Sequence, residues 1–269
     1  MILRPIDRTA LRREFTSAQP FPFVRIEPFL DRTFAEELAS SYPAFERARE
    51  QGRVFATVNE RMKVQITDAK LFPRAVRTLD GVLASPAFLE DLSAITGIPG
   101  LLADERLEGG GMHITAAGGR LDVHVDFNYI EARQLHRRIN LLLFLNPVWE
   151  ERWGGYLQFW DREVGRCEHA FAPLLNRCII FETSSVSFHG VTPVAGDAPV
   201  ARCSFATYYY TREARENLTD TVHSTIFRPR PDEWVRGHVL MPVEQIQRRL
   251  GSGLRRIKRG VKRVLKRVG

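Results

Sequence analysis

Cysteine is scarce in this chain: three in 269 residues, Cys167, Cys178 and Cys203, with no CxxC spacing. An odd, widely spaced set argues against a disulfide framework or a thiolate zinc site. A reducing cytoplasm is the expected setting. Long apolar runs are also absent. No stretch approaches the roughly 20 apolar residues that span a bilayer. The opening Met1-Ile2-Leu3-Arg4-Pro5-Ile6-Asp7 lacks the apolar core expected of a signal peptide. No internal repeat is visible, and no low-complexity linker precedes the C-terminal tail. That tail lacks acidic residues. From Ser252 onward eight residues are basic and none acidic, leaving 31 basic against 32 acidic residues elsewhere. The formal charge of +7 therefore belongs to the tail and is not a field over the whole protein.

What remains is ordinary globular sequence, 44% hydrophobic and long enough to bury a substantial core. Residues 1–20 look irregular. Phe21–Ile26 reads as a short strand, with Pro22 placing it at an edge or a strand start. Asp31 and Thr33 announce a capped helix that ends before Pro43. The polar stretch 44–70 carries no clear period. Ala75–Leu83 and Pro86–Thr96 read as helices, the second with Phe88, Leu92 and Ile95 at helical spacing and Gly97 as its stop. From about Leu107 short β-branched and apolar runs alternate with turn signals such as Gly109-Gly110-Gly111, Gly118-Gly119 and Gly154-Gly155. That punctuation predicts a sandwich or barrel.

Within those strands the chemistry-bearing residues follow a pattern. His124 and Asp126 stand two apart, so a strand aims both at one face. His189 arrives from a distant strand. Two imidazoles and a carboxylate with other positions open suit a non-haem Fe(II) site. Arg202 opens an apolar strand, where a buried guanidinium needs an anion, and its planar fork fits a carboxylate. Ser204 shares its face and adds a hydroxyl. Period two along Arg138–Phe144 puts Arg138, Asn140, Leu142 and Phe144 together. Asn140 faces either the metal and substrate or a neighbouring backbone group. Asp122 is not expected to ligate. His113, His136, His169, His223 and His238 are expected to be ordinary structural or surface histidines.

The order HxD, distal His, then a basic residue resembles the prolyl 4-hydroxylase-like branch of the Fe(II)/2-oxoglutarate dioxygenases. The resemblance covers roughly Gly109–Thr211, including Arg138–Trp149, Gly154-Gly155-Tyr156-Leu157 and Asn176–Phe181. It implies a mainly β fold with flanking helices around a double-stranded β-helix, the cupin-like jelly roll. That core is expected at residues 104–212. A strand and helices in 1–103 should pack on it, 213–250 should form an extension outside it, and 251–269 a tail. The resemblance makes His124, Asp126 and His189 the iron ligands and Arg202, with Ser204, the site for the distal carboxylate of 2-oxoglutarate. Leu157 packs on the cosubstrate's methylenes. Asn140 and Tyr208 are the substrate-side candidates. Phe144 departs from the oxygen-sensing relatives, which often carry a tyrosine there, so more of the carboxylate recognition falls to Arg202. Asp126 stands where related halogenases have a small residue, which favours hydroxylation.

The implied activity is hydroxylation of an unactivated C–H bond with Fe(II), 2-oxoglutarate and O2, and with ascorbate as a reductant. A prolyl residue in a protein is the substrate the family suggests. A small molecule or a surface glycan precursor would use the same centre, and a cupin-like binding protein without turnover is the competing class. The tail repeats Leu254, Ile257, Val261, Val264, Leu265 and Val268 between basic residues. This basic amphipathic pattern suits an anionic membrane surface or nucleic acid, so a cytoplasmic protein peripheral to membrane is one expectation.

Overall fold

The computed structural model describes residues 2–214 and 222–233. In chain order they form α1 (Arg8–Ser17), β1 (Phe23–Ile26), α2 (Arg32–Ser40), α3 (Phe45–Gln51), β2 (Arg53–Ala56), β3 (Glu60–Ile66), α4 (Arg74–Leu83), α5 (Pro86–Thr96), β4 (Leu102–Ala103), β5 (Gly111–Val125), β6 (Tyr129–Ile130), β7 (Leu135–Phe144), β8 (Leu157–Trp160), β9 (Cys167–Phe171), β10 (Cys178–Glu182), β11 (His189–Val191), β12 (Arg202–Thr211) and β13 (Ile226–Arg228). The helix signals are visible in the caps. Asp31 accepts from the amides of Thr33 and Phe34, Ser85 accepts from Phe88, and Gly97 ends α5 in the left-handed region at φ 74°. The first twenty residues are not irregular as expected. Asp7 caps α1 by accepting from Thr9 and Ala10, and Phe15 anchors the helix in the core. Residues 44–70, which show no period, hold α3 and the β2–β3 hairpin.

The strands run in the order β1-β10-β7-β12-β5-β11-β8-β9, and every ladder among the described strands is antiparallel. The jelly roll follows from β5. Its first half pairs with β12, Thr115 opposite Arg202, while its second half pairs with β11, His124 opposite His189. Between the halves, residues 116–119 face only Met62 in the β3 ladder, because Lys63 opposes Thr115 and Arg61 opposes Arg120, while Gly118 and Gly119 exchange backbone hydrogen bonds with Val194. One strand thus belongs to both walls of the curled sheet.

Strand alternation sorts the core. On β7, Ile139, Leu141 and Leu143 pack outward with Val76, Leu79, Phe88 and Leu92 of α4 and α5. Leu142 and Phe144 point inward with Leu157, Phe159 and Phe181. The helices buttress one face and leave the interior of the roll to aromatic side chains. Residues 226–228, expected in an extension outside the core, instead form β13 and lie along β5. Residues Met1–Arg228 make one compact unit. Of the second, Pro229–Gly269, only residues 229–233 are described, and there the Glu233 amide donates to the Arg230 carbonyl at 3.0 Å. The expected tail helix, residues 251–269, lies outside the described residues, as does His238.

Asn176 fastens the N-terminal segment to the roll. Its backbone sits at φ 66°, a conformation asparagine tolerates. Its buried Oδ1 accepts from Phe29 N at 3.2 Å and Leu30 N at 2.6 Å, and its Nδ2 donates to Leu30 O at 2.8 Å. Asn176→Ala strands these buried groups and strains the turn. It should lower stability by about 2–4 kcal/mol in urea unfolding. A midpoint equal to that of the unaltered protein would refute this role.

Candidate metal centre and cosubstrate pocket

His124 is next to last in β5, Asp126 follows the strand, and His189 opens β11. A ligand atom from each of the three lies within 4.8 Å of the others, and all three residues are buried. The cross-strand pair His124–His189 brings the rings to 4.3 Å. The register slips here: Leu121 opposes Val191 and His124 opposes His189, so two β5 residues face Gly190 alone. Such a bulge re-aims the side chain that follows it. Gly190 permits it, since a Cβ there would lie 3.0 Å from Val123 Cα and 3.1 Å from Leu121 O.

The tautomers follow from the backbone. His124 Nδ1 lies 2.9 Å from Asp122 O, and His189 Nδ1 lies 2.9 Å from Ser187 O. A carbonyl only accepts, so each Nδ1 carries the proton and donates. Each Nε2 then presents a lone pair toward Asp126, at 3.5 Å and 3.8 Å from its two oxygens. Burial, reinforced by the neighbouring His124, pushes His189 down to about 4, so it is neutral at physiological pH. Burial acts to raise the Asp126 carboxyl. The neighbouring His124, His189 and Arg137 outweigh it and hold the group below the ordinary carboxylate range. A neutral His189 and an ionised Asp126 are in the states that ligation of a divalent cation requires. Asp122 stays out of the cluster because its carboxylate is held by Arg120, Nε to Oδ1 at 2.7 Å.

At the other end of the aromatic interior lies Arg202. Its Nε donates to Gly155 O at 2.8 Å and Nη1 to Ser204 Oγ at 3.4 Å, with the guanidinium 5.0 Å from the Phe144 ring centroid. Its Nη2 is buried without a partner, and no carboxylate among the described residues pairs with it. Burial alone pushes it down to about 10. A buried cation lacking its counter-charge is costly, so this pocket suits an anion. Leu157 and Phe144 share the same inward cluster. Phe144 carries no hydroxyl, and the Ser204 hydroxyl is the side-chain group beside the guanidinium.

Asn140 and Tyr208 are register partners across β7 and β12. Asn140 Nδ2 approaches Asp126 Oδ2 at 3.4 Å, while its Oδ1 is buried without a partner. Arg137 is the residue the sequence pattern missed. Period two groups Arg138 with Asn140, but a slip at Tyr209/Tyr210 sets Ile139 opposite Tyr209 and Arg137 opposite Tyr210. That slip brings Arg137 to the site. Its Nη1 stands 3.7 Å from Asp126 Oδ2, and its guanidinium lies 3.6 Å from the centroids of both Phe127 and Tyr208. Only the density of charge in Arg137-Arg138 before an apolar run hinted at it. His113 is buried in the wall, with Nε2 3.1 Å from Gly109 O.

Comparisons with known proteins agree with this geometry. Residues 110–210 match the model of the 2OG-Fe(II) oxygenase superfamily. No curated protein matches the chain. Among solved structures, a prolyl-4-hydroxylase from Pseudomonas putida is 20% identical over 76% of this chain and 99% of its own, with a TM-score of 0.52. A prolyl hydroxylase from Trichoplax adhaerens, in complex with a hypoxia inducible factor oxygen degradation domain peptide fragment, is 16% identical over 76% of this chain and 90% of its own, at 0.53. The epimerase SnoN, solved with Fe3+, alpha ketoglutarate and nogalamycin RO, is 15% identical over 82% and 96%, also at 0.53. At these identities the solved structures speak to the fold, and they share the jelly roll. Taken with the roll and the clustered His124, Asp126 and His189, the match identifies residues 110–210 as a domain of the 2OG-Fe(II) oxygenase type, the type that uses Fe(II), 2-oxoglutarate and O2.

Proposed function

We propose that the chain holds Fe(II) through His124 Nε2, His189 Nε2 and an Asp126 oxygen, seats the distal carboxylate of 2-oxoglutarate on Arg202, and hydroxylates a prolyl residue in a protein. The observation that carries the reading is the polarity of the interior. Two imidazoles and a carboxylate stand at one end and an uncompensated buried guanidinium at the other, with apolar side chains between. That layout is complementary to a molecule with an acid at one end, methylenes in the middle and a chelating acid at the other. Bound there, metal and cosubstrate would supply the oxidation of the C–H bond with O2 as oxidant, one oxygen atom entering the product and the other the succinate released with CO2.

The chain's own residues do the rest. Asp122 O and Ser187 O each anchor an imidazole at Nδ1, so Nε2 is the atom each ring offers to a metal. Asp126 supplies the negative charge that a divalent cation calls for. Arg202, braced by Gly155 O and Ser204 Oγ, orients the cosubstrate. Phe159 and Phe181, both fully buried, exclude water behind the metal. Asn140, Tyr208 and Arg137 form the polar wall from which substrate approaches. The Trichoplax enzyme's peptide partner supports a protein substrate. SnoN, equally similar in fold, supports a second reading in which a small molecule is the substrate. Mass spectrometry distinguishes them: purified protein with Fe(II) and 2-oxoglutarate should add one oxygen atom to a proline in candidate peptides, and modification of small molecules alone would favour the second.

Three variants test the assignments. Arg202→Ala should raise the apparent KM for 2-oxoglutarate by about tenfold or more while leaving Fe(II) affinity within about threefold. Parallel loss of both would mark Arg202 as structural. Asp126→Ala should abolish 2-oxoglutarate-dependent succinate formation and weaken Fe(II) binding. Retained turnover would remove Asp126 from the ligand set. Gly190→Ala pushes β11 from β5 at the bulge and should weaken metal binding about tenfold, the usual scale for supports of a ligand. Titration with Mn(II), followed by electron paramagnetic resonance, reads it, and unchanged affinity would rule out the bulge as a determinant.

A further inference from the structure

The metal-bearing face carries a row of side chains set by register. Phe227 of β13 stands opposite His124 of β5, His124 opposite His189 of β11, and His189 opposite Phe159 of β8. Residues directly opposite each other in a sheet project to the same face. Phe227 therefore projects on the face of the two imidazoles, and its ring lies 5.3 Å from that of His124 at 31°. On the far side of the row Phe159 is fully buried, and Phe181 reaches the His189 ring at 4.8 Å. His189 is thus confined by two phenylalanines in the closed interior. His124 is confined on its outer side by Phe227, which is half-buried.

The strand that carries Phe227 is pinned at both ends. Ahead of it, His223 N donates to Asn128 Oδ1 at 2.9 Å and Asn128 N donates to His223 O at 3.3 Å. After it, the Arg228 guanidinium lies 4.4 Å from the Phe188 ring centroid and Nη1 donates to Arg162 O at 3.0 Å. Phe188 packs with Val123 and Val125 on the opposite face of β5 from His124. The strap therefore grips β5 from behind while presenting one ring in front. Residues 226–228 fall after the 110–210 stretch that matches the superfamily, so the contact is contributed from outside the shared domain.

We infer that Phe227 is a positioning residue for the metal centre: its ring fixes the plane of His124 and covers that imidazole against water. The hydrogen bond to Asp122 O fixes His124 at Nδ1 but leaves the ring free to rock about that bond, and an apolar face against it removes this freedom. The inference rests on the proposed ligand set.

The test uses the full chain and Mn(II) as the probe. Affinity is measured by electron paramagnetic resonance, and water access by the proton relaxation that bound Mn(II) induces. Phe227→Ala should weaken Mn(II) binding about tenfold and raise the relaxation per bound ion, while Phe227→Tyr, which keeps the ring, should restore both. Ile226→Ala is the control for strand docking: Ile226 is exposed, lies on the same strand and opposes Val125. It should leave both readings at the level of the unaltered protein. Equal losses in the Ile226 and Phe227 variants, or no loss in Phe227→Ala, overturn the inference. Failure of the unaltered protein to bind Mn(II), or binding undiminished in His124→Ala, overturns the ligand set itself and with it this role.

Discussion

A guanidinium withdrawn from water without a counter-charge is the constraint around which this interior is arranged. Arg202 is held by a backbone carbonyl and a hydroxyl, neither of which neutralises it. Burying a carboxylate beside it would have relieved the cost and closed the pocket. The fold instead surrounds it with Phe144 and the Gly155 backbone and leaves one nitrogen unbonded. Gly155 matters in that arrangement because its φ of 68° and its contact with Arg202 Cδ, 3.3 Å from where a Cβ would sit, leave little room for a side chain. The stored desolvation cost is the affinity available to an incoming anion.

The metal end is arranged by a different device. No side-chain hydrogen bond fixes His124 or His189 at Nδ1; the backbone does it, through carbonyls two residues earlier in each case. The pattern repeats because both histidines follow a local irregularity, a bulge in β5 and the turn through Ser187 before β11. Irregular backbone frees carbonyls from the ladder, and those carbonyls orient the ligands. Arg137 completes the electrostatics by standing 3.7 Å from Asp126 Oδ2, the oxygen that His189 also faces, while its flat faces lie on Phe127 and Tyr208.

The sequence made some of this legible and hid the rest for identifiable reasons. HxD on a strand, a distant His and a basic strand start could be read because alternation is local and short. Helices α2 and α5 could be read because their caps and apolar spacing agree, and α4, which has no side-chain cap, from its apolar spacing alone. Helix α1 was missed because only Phe15 is buried, so its apolar period is weak and the Asp7 cap stands alone. The β2–β3 hairpin was missed because its apolar residues keep no steady alternation, Val64, Gln65 and Ile66 being buried in succession, and its pairing with β5 is a long-range matter. Arg137 and Arg138 exchanged roles because one extra residue in β7 reverses the parity that period two assumes. Phe227 could not be placed from local pattern, since a three-residue strand leaves almost no periodic signal.

The dual membership of β5 gives the protein a built-in gauge. Thr115 is tied to the anion anchor and His124 to the metal end, so the separation of the two sites is counted out along a single backbone. A count changes only in whole residues, and inserting one between Leu121 and His124 would swing every later side chain to the other face. Of the four residues that face Met62, Gly118 and Gly119 exchange backbone hydrogen bonds with Val194, so this stretch belongs to the same fixed count. On the proposed reading, the chain length of an acceptable diacid is a discrete property of this strand, and evolution toward a longer or shorter cosubstrate would have to proceed by jumps.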